Sequence, residues 1–289
     1  MADAISPEYF PFLSRWHMTL DGHRIHYVDE GAGVPVVLIG SLLGWSFHYR
    51  KLMQALLKQR FRVVAIDPLG FGLSDKPKKY DYSLENHLEQ LTYFLAQEQI
   101  PRFHLICHGS STIQSLGYAV QHRERIRRIV MLSPNIFPNM PWLDMEPLMT
   151  LPGMLQLLGR DTAFYAKRHL ARGVRTAPMS APERQLMLYP YLTKKGRLPW
   201  YQCYFNFLKR PRQSIYNLMN EIILRLKLLQ PKGVLCIGGE EDPTYYPQVA
   251  ERVQQVLPDS LVLNFPKAGH FLLEDFTEDV IPTICRFLG

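Results

Sequence analysis

Cysteine is scarce in this chain: four residues, Cys107, Cys203, Cys236 and Cys285, are scattered through 289 with no Cys-x-x-Cys pair and no Cys/His cluster. That pattern excludes a disulfide-stapled fold and a cysteine-rich zinc module, and it predicts reduced thiols and a cytoplasmic setting. Long apolar runs are missing too. The runs present stop well short of the roughly 20 residues needed to cross a bilayer, so no transmembrane segment is expected. The opening stretch MADAISPEYFPFLSRW has no basic segment leading into an apolar one, which argues against a secretory signal. Internal repeats and low-complexity tracts are absent as well, which excludes solenoids and arrays. Neither a GxGxxG nor a GKS motif occurs, so no nucleotide, other cofactor or metal is expected; the glycine-rich turn Asp67–Gly72 reads as a tight connection after a strand.

The formal charge is +7, and basic residues gather at Arg123–Arg128, Lys167–Arg175, Lys194–Arg197 and Lys209–Arg212. No nucleic-acid module accompanies them, so they read as solvated helix faces and no nucleic acid is expected as a partner. Weak attraction to anionic ligands or membrane surfaces is the partner class that this charge leaves open.

What is present is apolar residue content of 47% in an alternating pattern. Trp16–Leu20 and Arg24–Val28, separated by Asp21-Gly22, predict a hairpin. Pro35–Ile39 and Arg62–Ile66 read as buried strands, and 103–107, Ile129–Leu132, Gly233–Ile237 and Ser260–Phe265 as further strands. Helical patterns fall between them at His48–Gln59, Ser83–Gln97 (with Ser83 as N-cap), Ser111–Val120, Pro247–Leu257 and Thr277–Leu288. Strands alternating with helices predict an α/β fold, a mostly parallel sheet covered on both faces. Between 135 and 230 only helical patterns remain, rich in Pro, Met, Trp and Tyr. That block reads as a helical cap (135–230) inserted into a core made of 1–134 and 231–289, over the strand ends where such sheets bind ligands.

Residues 105–112, Leu-Ile-Cys-His-Gly-Ser-Ser-Thr, stand between a strand and a helix, the setting of a nucleophile elbow, Gly-x-Nuc-x-Gly. In register, Cys107 and Ser111 take the two glycine places and the nucleophile place is Gly109. Downstream, His270 in Ala-Gly-His-Phe follows the last strand, where an imidazole serves as general base. Asp242, in the loop after Gly233–Ile237, is placed to orient it, with Glu240 and Glu241 as neighbouring carboxylates.

The stretch HYVDEGAGVPVVLIGSLLGWSFHYRKLMQALLKQRFRVVAIDPLGFGLSDKP, the elbow at 103–120, and the motifs GGEEDPTYY and FPKAGHFLLEDF together resemble the α/β-hydrolase superfamily, most of all haloalkane dehalogenases and epoxide hydrolases. The resemblance implies an α/β-hydrolase fold with a cap and a nucleophile–Asp–His order in which Asp242 and His270 are kept. It also implies an oxyanion hole built from the backbone N–H groups of Ser110 and Leu42. The departures fall on chemistry. Gly109 carries no nucleophile, Gly40-Ser41 replaces the usual His-Gly, and Leu42 and Ser110 replace the Asn and Trp that bind halide in dehalogenases, so ordinary dehalogenation is not expected.

Three readings stay open. The first is an enzyme without a covalent nucleophile, in which His270, Asp242 and the oxyanion amides run lyase, cyclase, isomerase or cofactor-free chemistry on a hydrophobic small molecule. The second is a pseudo-hydrolase that binds such a ligand or serves as a scaffold. The third is a hydrolase whose attacking group is Ser110 or Ser111, although both read mainly as helix-start residues. The ligand pocket is expected to be lined by Trp45, His108, Trp142, Met145, Met149, Trp200 and Tyr204. Oligomeric state is not legible.

Overall fold

The computed structural model describes residues 5–41, 44–137, 162–192, 212–242, 244–245 and 247–289. Eight strands among them form one sheet: β1 (Arg15–Met18), β2 (Arg24–Glu30), β3 (Pro35–Ile39), β4 (Arg62–Ile66), β5 (Phe103–His108), β6 (Ile126–Leu132), β7 (Val234–Gly239) and β8 (Leu261–Phe265). Their order across the sheet is β1-β2-β4-β3-β5-β6-β7-β8. Only β1–β2 and β2–β4 pair antiparallel; β3–β4, β3–β5, β5–β6, β6–β7 and β7–β8 are parallel. The continuous Val/Ile/Leu runs of β3 to β7 follow from burial on both faces, since helices cover the sheet on each side. Alternate residues of β3 to β7 therefore enter different cores. Val37 and Ile39 join one apolar cluster, Val36 and Leu38 the other.

The helices follow the apolar periodicity. In α1 (Arg50–Lys58), Leu52, Met53 and Leu56 are buried; α2 (Leu84–Gln97) is capped by the Ser83 hydroxyl, which accepts the Asn86 N–H; α3 (Ser111–Gln121) leaves the elbow. Between β6 and β7 come α4 (Thr162–Gly173), α5 (Ala181–Leu188) and α6 (Arg212–Arg225), with α7 (Pro247–Val256), α8 (Leu272–Asp275) and α9 (Thr277–Leu288) after β7. Met219 and Ile222 of α6 pack into the same cluster as Leu116 and Ala119 of α3.

Two buried charge networks hold connections that the apolar clusters do not. Arg50 donates to both oxygens of Glu274 in α8 and, at 2.7 Å, to Glu183 of α5, so one guanidinium ties α1, α5 and α8 together. Asp67, fully buried at the end of β4, accepts from Ser46 N (2.7 Å) and Leu73 N (3.0 Å) and faces His26 Nδ1 at 2.9 Å. The Asp67–Gly72 turn is thus organised by its own carboxylate. Gly72 has φ +50°, and a Cβ there would lie 2.3 Å from the Asp67 carboxyl. Gly72→Ala should therefore lower stability by about 3 kcal/mol or more, read as a shift in the urea midpoint, because it combines left-handed strain with a collision against buried backbone-bonded atoms.

Candidate active site

The carboxyl ends of β3, β5, β7 and β8 open toward one another, and each is followed by a loop that brings in a site residue. Asp242 follows β7, His270 follows β8, and Gly109 is the first residue beyond β5. His270 Nδ1 lies 2.7 Å from Asp242 Oδ2, and both side chains are buried. Thr244 completes the pair: its N–H and its hydroxyl donate to Asp242 Oδ1, both at 2.8 Å, and its Oγ1 is 3.1 Å from His270 Nδ1. Burial alone would raise the Asp242 carboxyl; the adjoining imidazole and the Thr244 donors outweigh it and hold the group at about 2. An ionised carboxylate assigns the proton of the imidazole to Nδ1 and turns the Nε2 lone pair outward.

That lone pair points at the elbow. Gly109 adopts φ +52°, and a Cβ built on it would stand 2.9 Å from His270 Nε2 and 3.0 Å from Cε1. The elbow position and the base thus meet, and the ring already fills the space a side chain at 109 would need. Glu241, the neighbouring carboxylate, instead bonds Arg175 at 2.8 Å on the surface.

The other residues predicted for the site divide. His108 is fully buried. It donates from Nε2 to the backbone carbonyl of His270 (2.9 Å) and faces the Ser41 hydroxyl through Nδ1 (3.4 Å), so it supports the His270 loop. Burial, then the adjoining His270, drive its pKa well below the ordinary imidazole value. The Ser111 hydroxyl accepts the His108 N–H and turns toward the carbonyls of Ile39 and His108, within the elbow's own backbone. Ser110 has αR backbone just before α3. Trp45 is buried, stacks on Phe47 at 5.5 Å and donates Nε1–H to Met187 O, so it packs α5 onto the core. Leu42, Trp142, Met145, Met149, Trp200 and Tyr204 lie outside the described residues.

Sequence reasoning named His108 and His270 but missed the two imidazoles that extend them, His48 and His169. His48 (beside α1), His108, His270 and His169 (in α4) form a row with ring centroids 4.6, 4.3 and 5.2 Å apart, and Phe271 touches all four. Burial, with His270 adding to it, holds His169 at about 3. Desolvation likewise takes His48 far below its usual value, and neither of its ring nitrogens has a hydrogen-bond partner among the described residues. Nothing local marks His48 or His169, which lie more than a hundred residues apart. Asp275 was missed as well: it accepts the N–H groups of Arg175, Thr176 and Gly269 at 2.7–2.8 Å, fastening the segment after α4 to the His270 loop.

Fold and site order define a class. Residues 34–277 match the family model described as alpha/beta hydrolase fold, and the chain belongs to that family. Over its whole length it is 30% identical to a cis-3-alkyl-4-alkyloxetan-2-one decarboxylase of Shewanella oneidensis, covering 91% of that protein. It is 28% identical to haloalkane dehalogenase 2 of Mycobacterium tuberculosis, over 98% of this chain and 97% of the relative. Among solved structures, haloalkane dehalogenase DbeA from Bradyrhizobium elkani superposes with a TM-score of 0.83 at 18% identity, covering 96% of this chain and 97% of that one, a likeness of fold.

Two acid sensitivities follow. Asp242 has a folded pKa below its ordinary 3.8, so the stability it supplies, on the order of 2 kcal/mol, is complete above pH 3.8 and lost as pH falls through about 2. Asp242→Asn should lower the urea midpoint at pH 7, and the gap to wild type should narrow between pH 4 and pH 2. His48 is a base held neutral, so only the unfolded chain takes up its proton as pH drops below 6.5. His48→Leu should leave stability at pH 7 unchanged or raised and should lessen the loss between pH 7 and pH 5, measured by the same midpoint.

Proposed function

We propose that this chain is an α/β-hydrolase-family enzyme that works without a covalent nucleophile, using His270 as the proton-transfer group on a hydrophobic small molecule. The observation that carries the reading is the 2.9 Å approach of His270 Nε2 to the place where an elbow Cβ would stand, with Asp242 and Thr244 still holding Nδ1. A base oriented by a buried carboxylate is kept, while the apex offers only a backbone.

In this reading a carbonyl-containing substrate enters beneath the 135–230 cap and its oxygen is held by backbone N–H groups of Ser110 and Leu42 at the oxyanion position. His270 Nε2 takes a proton from the carbon next to that carbonyl. The electron pair left behind moves onto the oxygen as an enolate; collapse of the enolate either breaks the bond to a leaving group, which departs with the proton that His270 Nε2 returns to it, or takes that proton back at another carbon. Asp242 stabilises the imidazolium formed in between. The overall change is then a lyase, cyclase or isomerase reaction and consumes no water. The full-length likeness to a decarboxylase named for a four-membered lactone bearing two alkyl chains supports a substrate with a ring carbonyl and apolar arms. A Ser111 nucleophile is disfavoured because its hydroxyl is spent on the carbonyls of Ile39 and His108; for Ser110 the argument is one of position, since an elbow aims its apex residue at the base and uses the N–H of the next residue for the oxyanion.

One observation favours a second reading, a lidded binding protein with no turnover. With the ring pressed against the bare apex, little space remains between base and elbow for a reacting atom. The two readings separate on incubation of the protein with dialkyl β-lactones and with the ligand it carries from its source, followed by mass analysis. The enzyme reading expects a product of altered structure, formed at least 100-fold more slowly by His270→Ala, on the scale of losing a general base, with ligand binding retained. Recovery of every ligand unchanged assigns the protein to the binding class, whereas equal turnover by His270→Ala overturns the role given to His270. A fluorophosphonate should label neither Ser110 nor Ser111.

A further inference from the structure

A half-buried antiparallel strand ordinarily turns its apolar side chains inward and its polar ones to water. β1 and its turn do the reverse. Exposure runs 38% for Trp16, 9% for His17, 54% for Met18, 5% for Thr19 and 81% for Leu20. The register Trp16↔His26 and Met18↔Arg24 fixes this arrangement, and the inward polar groups are used. His17 Nδ1 meets Glu98 at 2.6 Å, its ring packs edge-on against Phe94 of α2, and the Thr19 hydroxyl accepts the His23 N–H at 3.0 Å. A slip of one residue would bury Trp16 and Met18 but strand these contacts, so the inversion is built in.

Cations frame the outward face. The Arg24 guanidinium sits 4.9 Å from the Trp16 ring centre, half-exposed and paired with Asp75. The Asp75 N–H donates to the Arg24 carbonyl and the Arg24 N–H to the Asp75 carboxylate; with a ring contact between His23 and Tyr80, these bonds bring the segment Lys76-Pro77-Lys78-Lys79 alongside the hairpin, with Lys78 and Lys79 exposed. Asp21 is the one carboxylate between Arg15 and Arg24, in a chain of net charge +7.

We propose that this hairpin end, with Trp16, Met18 and Leu20 outward and Arg24, Lys78 and Lys79 beside them, is a docking surface for an anionic lipid membrane. An indole with aliphatic neighbours suits the boundary between acyl chains and headgroups, and the flanking cations suit phosphate. A surface of this kind holds the protein at the membrane reversibly; no described helix is long and apolar enough to cross one. The proposal stands apart from the active-site reading, since it uses none of the same residues.

The test is co-sedimentation of the intact protein with phosphatidylcholine vesicles, with and without phosphatidylglycerol. Binding is expected only to the anionic vesicles and should weaken as salt is raised. Leu20→Asp and Met18→Asp should each reduce partitioning by about tenfold, and the paired change Lys78→Glu, Lys79→Glu should weaken it likewise. Leu224→Asp, at an exposed leucine of α6, should leave binding unchanged. Melting curves matching wild type show that the variants are folded. Wild-type protein that stays in solution with both vesicle types overturns the proposal, as does equal binding by Leu20→Asp. A concentration-dependent dimer that Leu20→Asp dissolves also overturns it and gives the face to a second copy of the chain.

Discussion

The imidazole of His270 is gripped from one side and unopposed on the other, and most of the site's design can be traced to that asymmetry. On the Nδ1 side a buried carboxylate, itself satisfied by two Thr244 donors, fixes the tautomer and the ring plane. On the Nε2 side stands Gly109, whose missing side chain lets the ring approach closer than any β-carbon would permit. Burying an ionised carboxylate is costly unless it is paired and hydrogen-bonded. The Asp242–His270–Thr244 unit meets that condition internally, so it persists without help from a nucleophile.

The surroundings maintain the same arrangement. His108 holds the backbone carbonyl of His270, Phe271 packs against all four imidazoles, and Asp275 ties the residues after α4 to the loop that carries the base. Arg50 connects α5 to the core from the far side. The helices between β6 and β7 are thus coupled to the His270 loop by polar contacts at two separate points, which makes the position of the base and the seating of α4 and α5 one mechanical problem.

Much of the fold is legible in the sequence. Strands Pro35–Ile39 and Arg62–Ile66 and helix Thr277–Leu288 coincide with their expected limits, and Ser83 caps α2 as its hydroxyl suggests. Burial on both faces leaves an apolar run with no alternation, and such runs are hard to mistake when glycine and proline bound them. The ends of β6 and β7 were less clear. β6 begins at Ile126, among arginines that periodicity assigns to a surface, and β7 continues through Gly238 and Gly239.

Local pattern determined that a strand, a sharp turn and a helix would surround Gly109, that Asp242 and His270 would follow late strands, and that a glycine can occupy a left-handed elbow, because these depend on neighbours along the chain. Only the tertiary structure decided how near the ring comes to the bare apex, that Ser111 turns away into the backbone, and that His48 and His169 join His108 and His270. It also decided that Trp16, Met18 and Leu20 face outward. Each of those outcomes is a contact, or the lack of one, between segments far apart in the chain, governed by burial and hydrogen-bond satisfaction once the sheet is assembled.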